Sequence, residues 1–432
     1  MLHDPSHREV PPVEAEIVLK DTDKEVLRKL GGRISEISSD PVNLNRAGLW
    51  KNLNDLKSRR PMVWINEIPW HEMDVDDELT LKTQHPWARD LEMKLRRTIY
   101  QWKHMPGDMI VSPFIECPMI IHSTDFGILE EVDIATTDSE NDIYSRHFKI
   151  QINSMDDLEK IQMPKITHFQ KATEFSMGAM KDIFSGIIPV KKTGQSHIWY
   201  TPWDFLIRWW GVQEAMMDLA MRPEMVHAFV DRMVDAWMIE LDQFTMQNLL
   251  ELDNNNTRIG SGGYGYISDL PGDDFDENHV KPHNMWGCSN AQIFSGVSPE
   301  MHWEFAVEHD LRWLKRWGKT YYGCCEPLDG KIDMLKHVPN LRKISVSPWC
   351  NSERAVENMG QDYVMSRKPN PAILAESSWD PKRAEEEILD FLEKTEGRCH
   401  VELIMKDVST VRYQPRRLWE WSEIASRIAE DY

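Results

Sequence analysis

Four short stretches of this chain concentrate thiols, carboxylates and amines. They are Gly323-Cys324-Cys325-Glu326, Pro348-Trp349-Cys350, Lys368-Pro369-Asn370-Pro371 and Asp407-Val408-Ser409-Thr410. Thiolates and carboxylates brought together suit Zn2+, which would hold a substrate or polarise an oxygen leaving group as a Lewis acid. Cys324, Cys325, Glu326 and Asp407 are the candidate ligands. The competing reading is structural: adjacent cysteines are not a standard zinc spacing, and one of them can pack in the interior while the other is incidental. Glu326, Lys368 and Asp407 are the candidate catalytic groups. Cys288, in Trp286-Gly287-Cys288, reads as a buried free thiol, and His400, at the start of a strand-like run, as structural.

Aromatic residues are the second resource, with 18 Trp beside 24 Met. Most of these fill a core, and some can line a pocket for an aromatic ring or a cation. Tyr200, Trp203, Trp209 and Trp210 surround Asp204, which is either a general acid or the cap of the helix that follows. Tyr264 and Tyr266, flanked by glycines, form either an aromatic lid or an ordinary surface loop. Tyr200, Trp203, Tyr264, Tyr266, Trp349 and Asn370 are the candidate substrate-binding residues. Glu67, Trp70 and Glu72 make a further acid and Trp group without an assigned place.

The chemistry-bearing stretches need elements to position them. Each closes a short strand-like run: Lys319–Cys324, Lys343–Ser347, Tyr363–Arg367 and His400–Lys406. Helical patterns alternate with these runs. Leu328–Val338 and Glu353–Met359 have helical spacing. Asp380-Pro381 caps and opens a helix with Ala384, Ile388, Phe391 and Leu392 on one face, and Gly397 follows its end. Pro415 opens the last helix, with a stripe of Leu418, Trp421, Ala425 and Ile428. The middle of the chain is helical from Met225 to Leu241, and Ser298-Pro299-Glu300 opens another helix. Strand, helix, strand, helix predicts a parallel α/β sheet. No Gly-rich phosphate loop joins a strand to a helix, which disfavours a dinucleotide fold. A (β/α)8 TIM-type barrel is the expected fold, with residues 1–95 as an N-terminal extension and 96–432 as the catalytic barrel. In such a barrel the active site lies at the C-terminal ends of the strands, where all four stretches fall.

Composition bounds the function. The chain has 432 residues, 41% hydrophobic and 28% charged, enough for a large core. Its formal net charge of -21 repels phosphate backbones, so nucleic acid is not an expected partner. No run reaches the ~18 apolar residues that span a bilayer, and Met1 to Val10 lacks an apolar signal core. A cytoplasmic protein without membrane attachment is expected. Pro5, Pro11 and Pro12 break any pattern in the first dozen residues. Six cysteines in a chain this long do not make a disulfide framework.

The run Tyr322-Gly323-Cys324-Cys325-Glu326-Pro327-Leu328 resembles the uroporphyrinogen-decarboxylase-like superfamily. So do Ile344-Ser345-Val346-Ser347-Pro348-Trp349, Lys368-Pro369-Asn370-Pro371, the entry segment Ile152–Glu159 with Pro164, and Asp218-Leu219 with Arg222-Pro223-Glu224. The resemblance runs in order from about Trp50 to the C-terminus and implies a (β/α)8 barrel. It also implies one of two activities. Decarboxylases of the family need no cofactor and carry a basic loop near the start for a polycarboxylate. Here the comparable stretch, Arg60-Pro61-Met62-Val63-Trp64-Ile65-Asn66-Glu67, lacks that loop and adds an acid. The corrinoid-linked branch uses zinc held by His-x-Cys and a later Cys. Here Tyr322 or Gly323 stands at the His position, and Asp407 and Ser409 lie near the later Cys position. The first expectation is therefore a demethylase component. It would move a methyl group from a small methylated compound, methoxy-aromatic or else a methylated amine, to the cobalamin-type corrinoid of a partner protein. The alternative is a cofactor-free carboxy-lyase using Arg367, Lys368 and Lys406. The resemblance also allows a homodimer.

Overall fold

The structure, a computed structural model, describes residues 14–135 and 145–432. The first ten residues, and Pro5, Pro11 and Pro12 among the first dozen, lie outside the described residues. Eight short parallel strands organise the chain: β1 (Met62–Ile65), β2 (Ile115–Pro118), β3 (Val190–Thr193), β4 (Trp286–Ser289), β5 (Lys319–Tyr322), β6 (Leu341–Val346), β7 (Val364–Arg367) and β8 (His400–Met405). Six of them form one sheet in the order β1-β8-β7-β6-β5-β4, every neighbour parallel. β2 and β3 form a separate parallel pair. Antiparallel pairs at Ile121–Ser123 with Ile166–His168 and at Val132–Ala135 with Ser145–Phe148 lie apart from both.

Helices alternate with strands as the sequence pattern requires. They include α1 (Asp21–Ser38), α2 (Val42–Asn54), α3 (Pro86–His104), α4 (Gln170–Phe184), α5 (Pro202–Trp210), α6 (Val212–Met221), α7 (Pro223–Met246), α8 (Ser352–Met359), α9 (Pro381–Thr395) and α10 (Arg416–Asp431). The start of α9 follows from its cap: the Asp380 carboxylate accepts the Lys382 N–H at 3.0 Å. Its end follows from Glu396 and Gly397, both at positive φ. Ala384, Ile388, Phe391 and Leu392 of α9 are buried, as are Leu418, Trp421, Ala425 and Ile428 of α10. The two helices pack on each other, and α10 packs on β1. All four residues of β4 and of β7 are buried, as expected for parallel strands covered on both faces.

Three expectations change. The helix expected over Leu328–Val338 shrinks to Ile332–Leu335. Its first residues turn instead, with the Asp329 carboxylate on Arg354 and the Lys331 ammonium on the Phe294 carbonyl. The N-terminal extension cannot run to residue 95, because β1 is an edge strand of the six-stranded sheet and pairs with Glu402–Met405. Four consecutive apolar residues there supply a strand that is buried against its neighbour. Finally, among the described residues the strand ladder does not close into a ring. Beyond β1 the chain turns at Pro106-Gly107, and the Asp108 carboxylate takes the Val63 N–H at 2.8 Å. Beyond β4 the Asp253 carboxylate takes the Trp286 N–H at 3.0 Å. At both edges a side chain stands where a neighbouring strand's carbonyl would be.

All six cysteines are free. No helix of the described residues is long and apolar enough to cross a membrane.

Candidate active-site cavity

The C-terminal ends of β1, β3, β5 and β8 open onto one cavity of about 920 Å³. Asn66 and Glu67 reach it directly after β1, and Gln195, His197, Ile198 and Trp199 after β3. Cys324 and Cys325 reach it after β5, and Lys406 and Asp407 after β8. Helices α5 and α7 complete the wall with Asp204, Phe205 and Arg208, and with Trp237, Glu240 and Phe244. The wall thus has an aromatic part, which includes Trp64, Trp70, Trp199 and Trp237, and a charged part.

Lys406 is the centre of the charged part. Its ammonium pairs with Asp407 and lies 3.6 Å from Glu67. It is also 3.7 Å from the Cys324 sulfur and 3.9 Å from that of Cys325. Burial opposes the Lys406 charge, but Cys324, Glu67 and Asp407 more than offset this and raise its pKa. Burial likewise opposes the Glu67 charge. The Arg258 guanidinium at 2.8 Å, together with Lys406, nevertheless brings that carboxyl down to about 2. Burial raises the Asp407 carboxyl against the pull of Lys406. The hydrogen bond with Cys325 lowers the Cys324 thiol, and Lys406 adds to this, while Cys325 is raised.

The turn after β5 is fixed from within. Gly323 has φ +96°, and a Cβ there would meet Leu328 Cδ1 at 2.4 Å and Ser345 Cβ at 3.0 Å. The Glu326 carboxylate accepts the Cys324 N–H at 2.9 Å and the Ala291 N–H at 3.2 Å. Glu326 is fully buried and holds the turn instead of facing the cavity. That bears on zinc. Of the four expected ligands, Glu326 is committed to backbone N–H groups, and the cation between the thiols and Asp407 is Lys406. Among the described residues no three His, Cys, Asp or Glu side chains converge as a ligand set. The donors present do not fit the zinc site that the resemblance implies.

Lys368 also lies behind the wall. Its ammonium donates to the Tyr321 hydroxyl at 2.5 Å, the Ser366 carbonyl at 2.9 Å and the Ser366 hydroxyl at 2.8 Å. Burial brings it down to about 7 from the ordinary 10.5. Between these values the unfolded chain holds a proton that the folded chain lacks, so stability rises with pH. One such group contributes about 1.4 kcal/mol per pH unit. The contribution is complete above the unfolded value and is lost as pH falls towards 7. Lys368→Met is expected to remove this slope. Urea midpoints of both proteins across that window check it, and parallel curves would count against the burial of Lys368.

None of the six residues expected to bind substrate lies on the wall. Tyr200 is buried, donates to Asp310 at 2.7 Å and stacks on Trp313. Trp203 is buried with its indole N–H on the Phe305 carbonyl. Tyr264 packs between Trp50 and Trp64, and Tyr266 lies half-buried beside Asn54. Trp349 is 71% exposed. Asn370 caps the short turn of helix at Ala372. Large aromatic rings next to a parallel sheet are drawn first into the core, and here most of them serve it.

The structure brings in residues that had no assigned place. Glu67 and Trp70 line the cavity, whereas Glu72 holds the loop after β8 through the N–H groups of Val411 and Tyr413. Asp204 is no cap: it is in the first turn of α5 and accepts from the Gln292 side chain at 2.9 Å. Burial raises its carboxyl. Burial raises Glu240, on another wall, to about 7. His400 is structural as expected, with its Nδ1 2.7 Å from the Ser58 hydroxyl.

No family model matches the chain, and no curated relative does. A solved structure to which it is similar is a methyltransferase from Methanosarcina mazei, at 10% identity and a TM-score of 0.39. The similarity covers 70% of this chain and 76% of the other. At that distance the likeness carries no weight for fold or activity.

Proposed function

We propose that the chain is a methyltransferase that demethylates a small methoxy-aromatic compound and hands the methyl group to the corrinoid of a partner protein. One observation supports this above the others: a half-buried carboxyl, Asp204, lines the same cavity as Lys406 and feels its charge, and the rest of the wall includes indole and phenyl rings. Demethylation of an aryl ether needs a ring-shaped apolar slot and a proton for the departing oxygen. The Trp and Phe wall holds the ring and excludes water. Asp204, whose carboxyl is raised by burial, would give its proton to the oxygen as the methyl–oxygen bond breaks. Lys406 balances Glu67 and Asp407, so the carboxyl is not surrounded by unpaired anions. The corrinoid would supply the methyl-accepting nucleophile. It would arrive through the rim, where Asp407 is exposed. In this reading Asp204 does the work expected of zinc, and the two parallel sheets are arcs of an incomplete barrel.

The carboxy-lyase reading is weaker. Of its three cations only Lys406 lines the cavity. Arg367 is turned to the Ser347 carbonyl and Glu387, and Lys368 is buried on Tyr321. A polycarboxylate would meet Glu67 and Asp407 in place of a basic loop.

Incubation with a reduced corrinoid protein and a panel of methoxy-aromatics is expected to release the demethylated phenol and change the corrinoid's visible spectrum. Release of carbon dioxide from a carboxylated substrate, or no transfer across the panel, would overturn the reading.

A further inference from the structure

Cys324 and Cys325 have no role in that chemistry, yet they are the only cysteines on the cavity wall. Their sulfurs are 3.7 Å apart, and the Lys406 ammonium lies against both. Cys117, Cys288 and Cys350 are buried elsewhere, and Cys399 lies half-buried just before β8. We propose that Cys324 and Cys325 form a dithiol trap that captures an aryl arsenical in the trivalent state, by bonding one arsenic atom to both sulfurs.

Three features select this class of ligand. The first is the obstacle to a disulfide. Neighbouring Cα atoms on a trans peptide are about 3.8 Å apart, whereas a disulfide takes Cα atoms at least about 4.4 Å apart. The turn cannot relax to help, because Glu326 pins the Cys324 N–H and Gly323 has no spare room. A bridging atom between the sulfurs needs no such closure. The second feature is valence. Among the described residues the site offers two sulfurs and no third free donor, since Glu326 is spent on backbone and Asp407 on Lys406. A centre satisfied by two sulfurs and one carbon substituent fits, and a four-coordinate cation does not. The third feature is the cavity itself, whose aromatic wall receives the aryl group. Lys406 favours the thiolate form of the attacking sulfur.

The step balances without an oxidant. With phenylarsine oxide, two arsenic–sulfur bonds form and the arsenic–oxygen bond breaks. The oxygen leaves as one water with the two thiol protons, and arsenic keeps its oxidation state.

The test uses the full chain and phenylarsine oxide. Intact-mass measurement is expected to show one phenylarsenic group per chain. It should survive a large excess of a monothiol and come off with a small vicinal dithiol. Peptide mapping of the unaltered protein should find the group bridging Cys324 and Cys325, a readout that needs no variant. Cys324→Ser and Cys325→Ser, each checked by thermal melting, should hold arsenic only until monothiol is added, and Cys399→Ser should behave as the parent. Adducts that monothiol strips from the parent, a bridge mapped elsewhere, or unchanged retention in both Ser variants would overturn the proposal.

Discussion

Asp204→Asn is expected to lower the demethylation rate by about 100-fold or more, the usual contribution of a positioned general acid. The amide keeps the size and the Gln292 contact but has no proton to give. The loss should fall on kcat, with KM little changed, because the ring slot of Trp and Phe is untouched. The pH profile should change as well. Burial raises the Asp204 carboxyl, so the parent's rate falls as pH rises through that raised value. The variant should lack this limb. Glu240→Gln is the control: Glu240 also lines the cavity and is raised to about 7, but it accepts from the Ser123 hydroxyl, whereas Asp204 accepts from the side chain of Gln292. A Glu240 variant that loses the larger factor would move the acid to α7 and end the role given to Asp204.

Glu402→Ala is expected to be the most damaging single change to stability, at about 3–5 kcal/mol. The Glu402 carboxylate and the Lys343 ammonium are 2.9 Å apart, and neither side chain has any exposed surface. Glu402 also accepts from the Ser366 hydroxyl at 2.6 Å and the Gly263 N–H at 3.0 Å. Removing the carboxylate would leave a buried ammonium unpaired, which costs far more than a surface pair is worth. Combining Lys343→Met with Glu402→Leu should recover more than half of the loss, since apolar groups of similar volume replace such pairs at little cost. Burial opposes the Glu402 charge, but Lys343 and Ser366 hold its carboxyl below the usual range. Its stabilisation is therefore present above the unfolded carboxyl value and is lost as pH falls through the folded one. Denaturant unfolding of parent, single and double variants checks this. A double variant no more stable than Glu402→Ala would show that the pair matters for its hydrogen bonds and not for its charges.

The second half of the chain was legible because its signals are local. Asp380 and Pro381 start a helix by capping, and alternation marks His400–Met405, so α9 and β8 follow from a few neighbouring residues. The rim rule also worked for Cys324, Cys325 and Asp407, which all follow strand ends and reach the cavity. It failed for Lys368 and Glu326, because a position in sequence does not say whether a side chain turns to the cavity or to the backbone behind it. The place of β1 in the sheet is not legible from its neighbours in sequence, since its partner Glu402–Met405 lies more than 300 positions away. The aromatic wall was missed for the same reason: Trp64, Trp199 and Trp237 come from three distant segments. Nothing in their neighbours separates them from Trp203 or Trp209, which are core.

The two places where the ladder stops have a mechanical consequence. Asp108 is held to Val63 there by both its carboxylate and its backbone N–H, and Asp253 takes the Trp286 N–H through its carboxylate. Asp253 also faces His197, one of the residues on the cavity wall. Each seam is thus fastened through one acidic residue and not by a row of ladder bonds, so a substitution there loosens the seam without unpicking any strand.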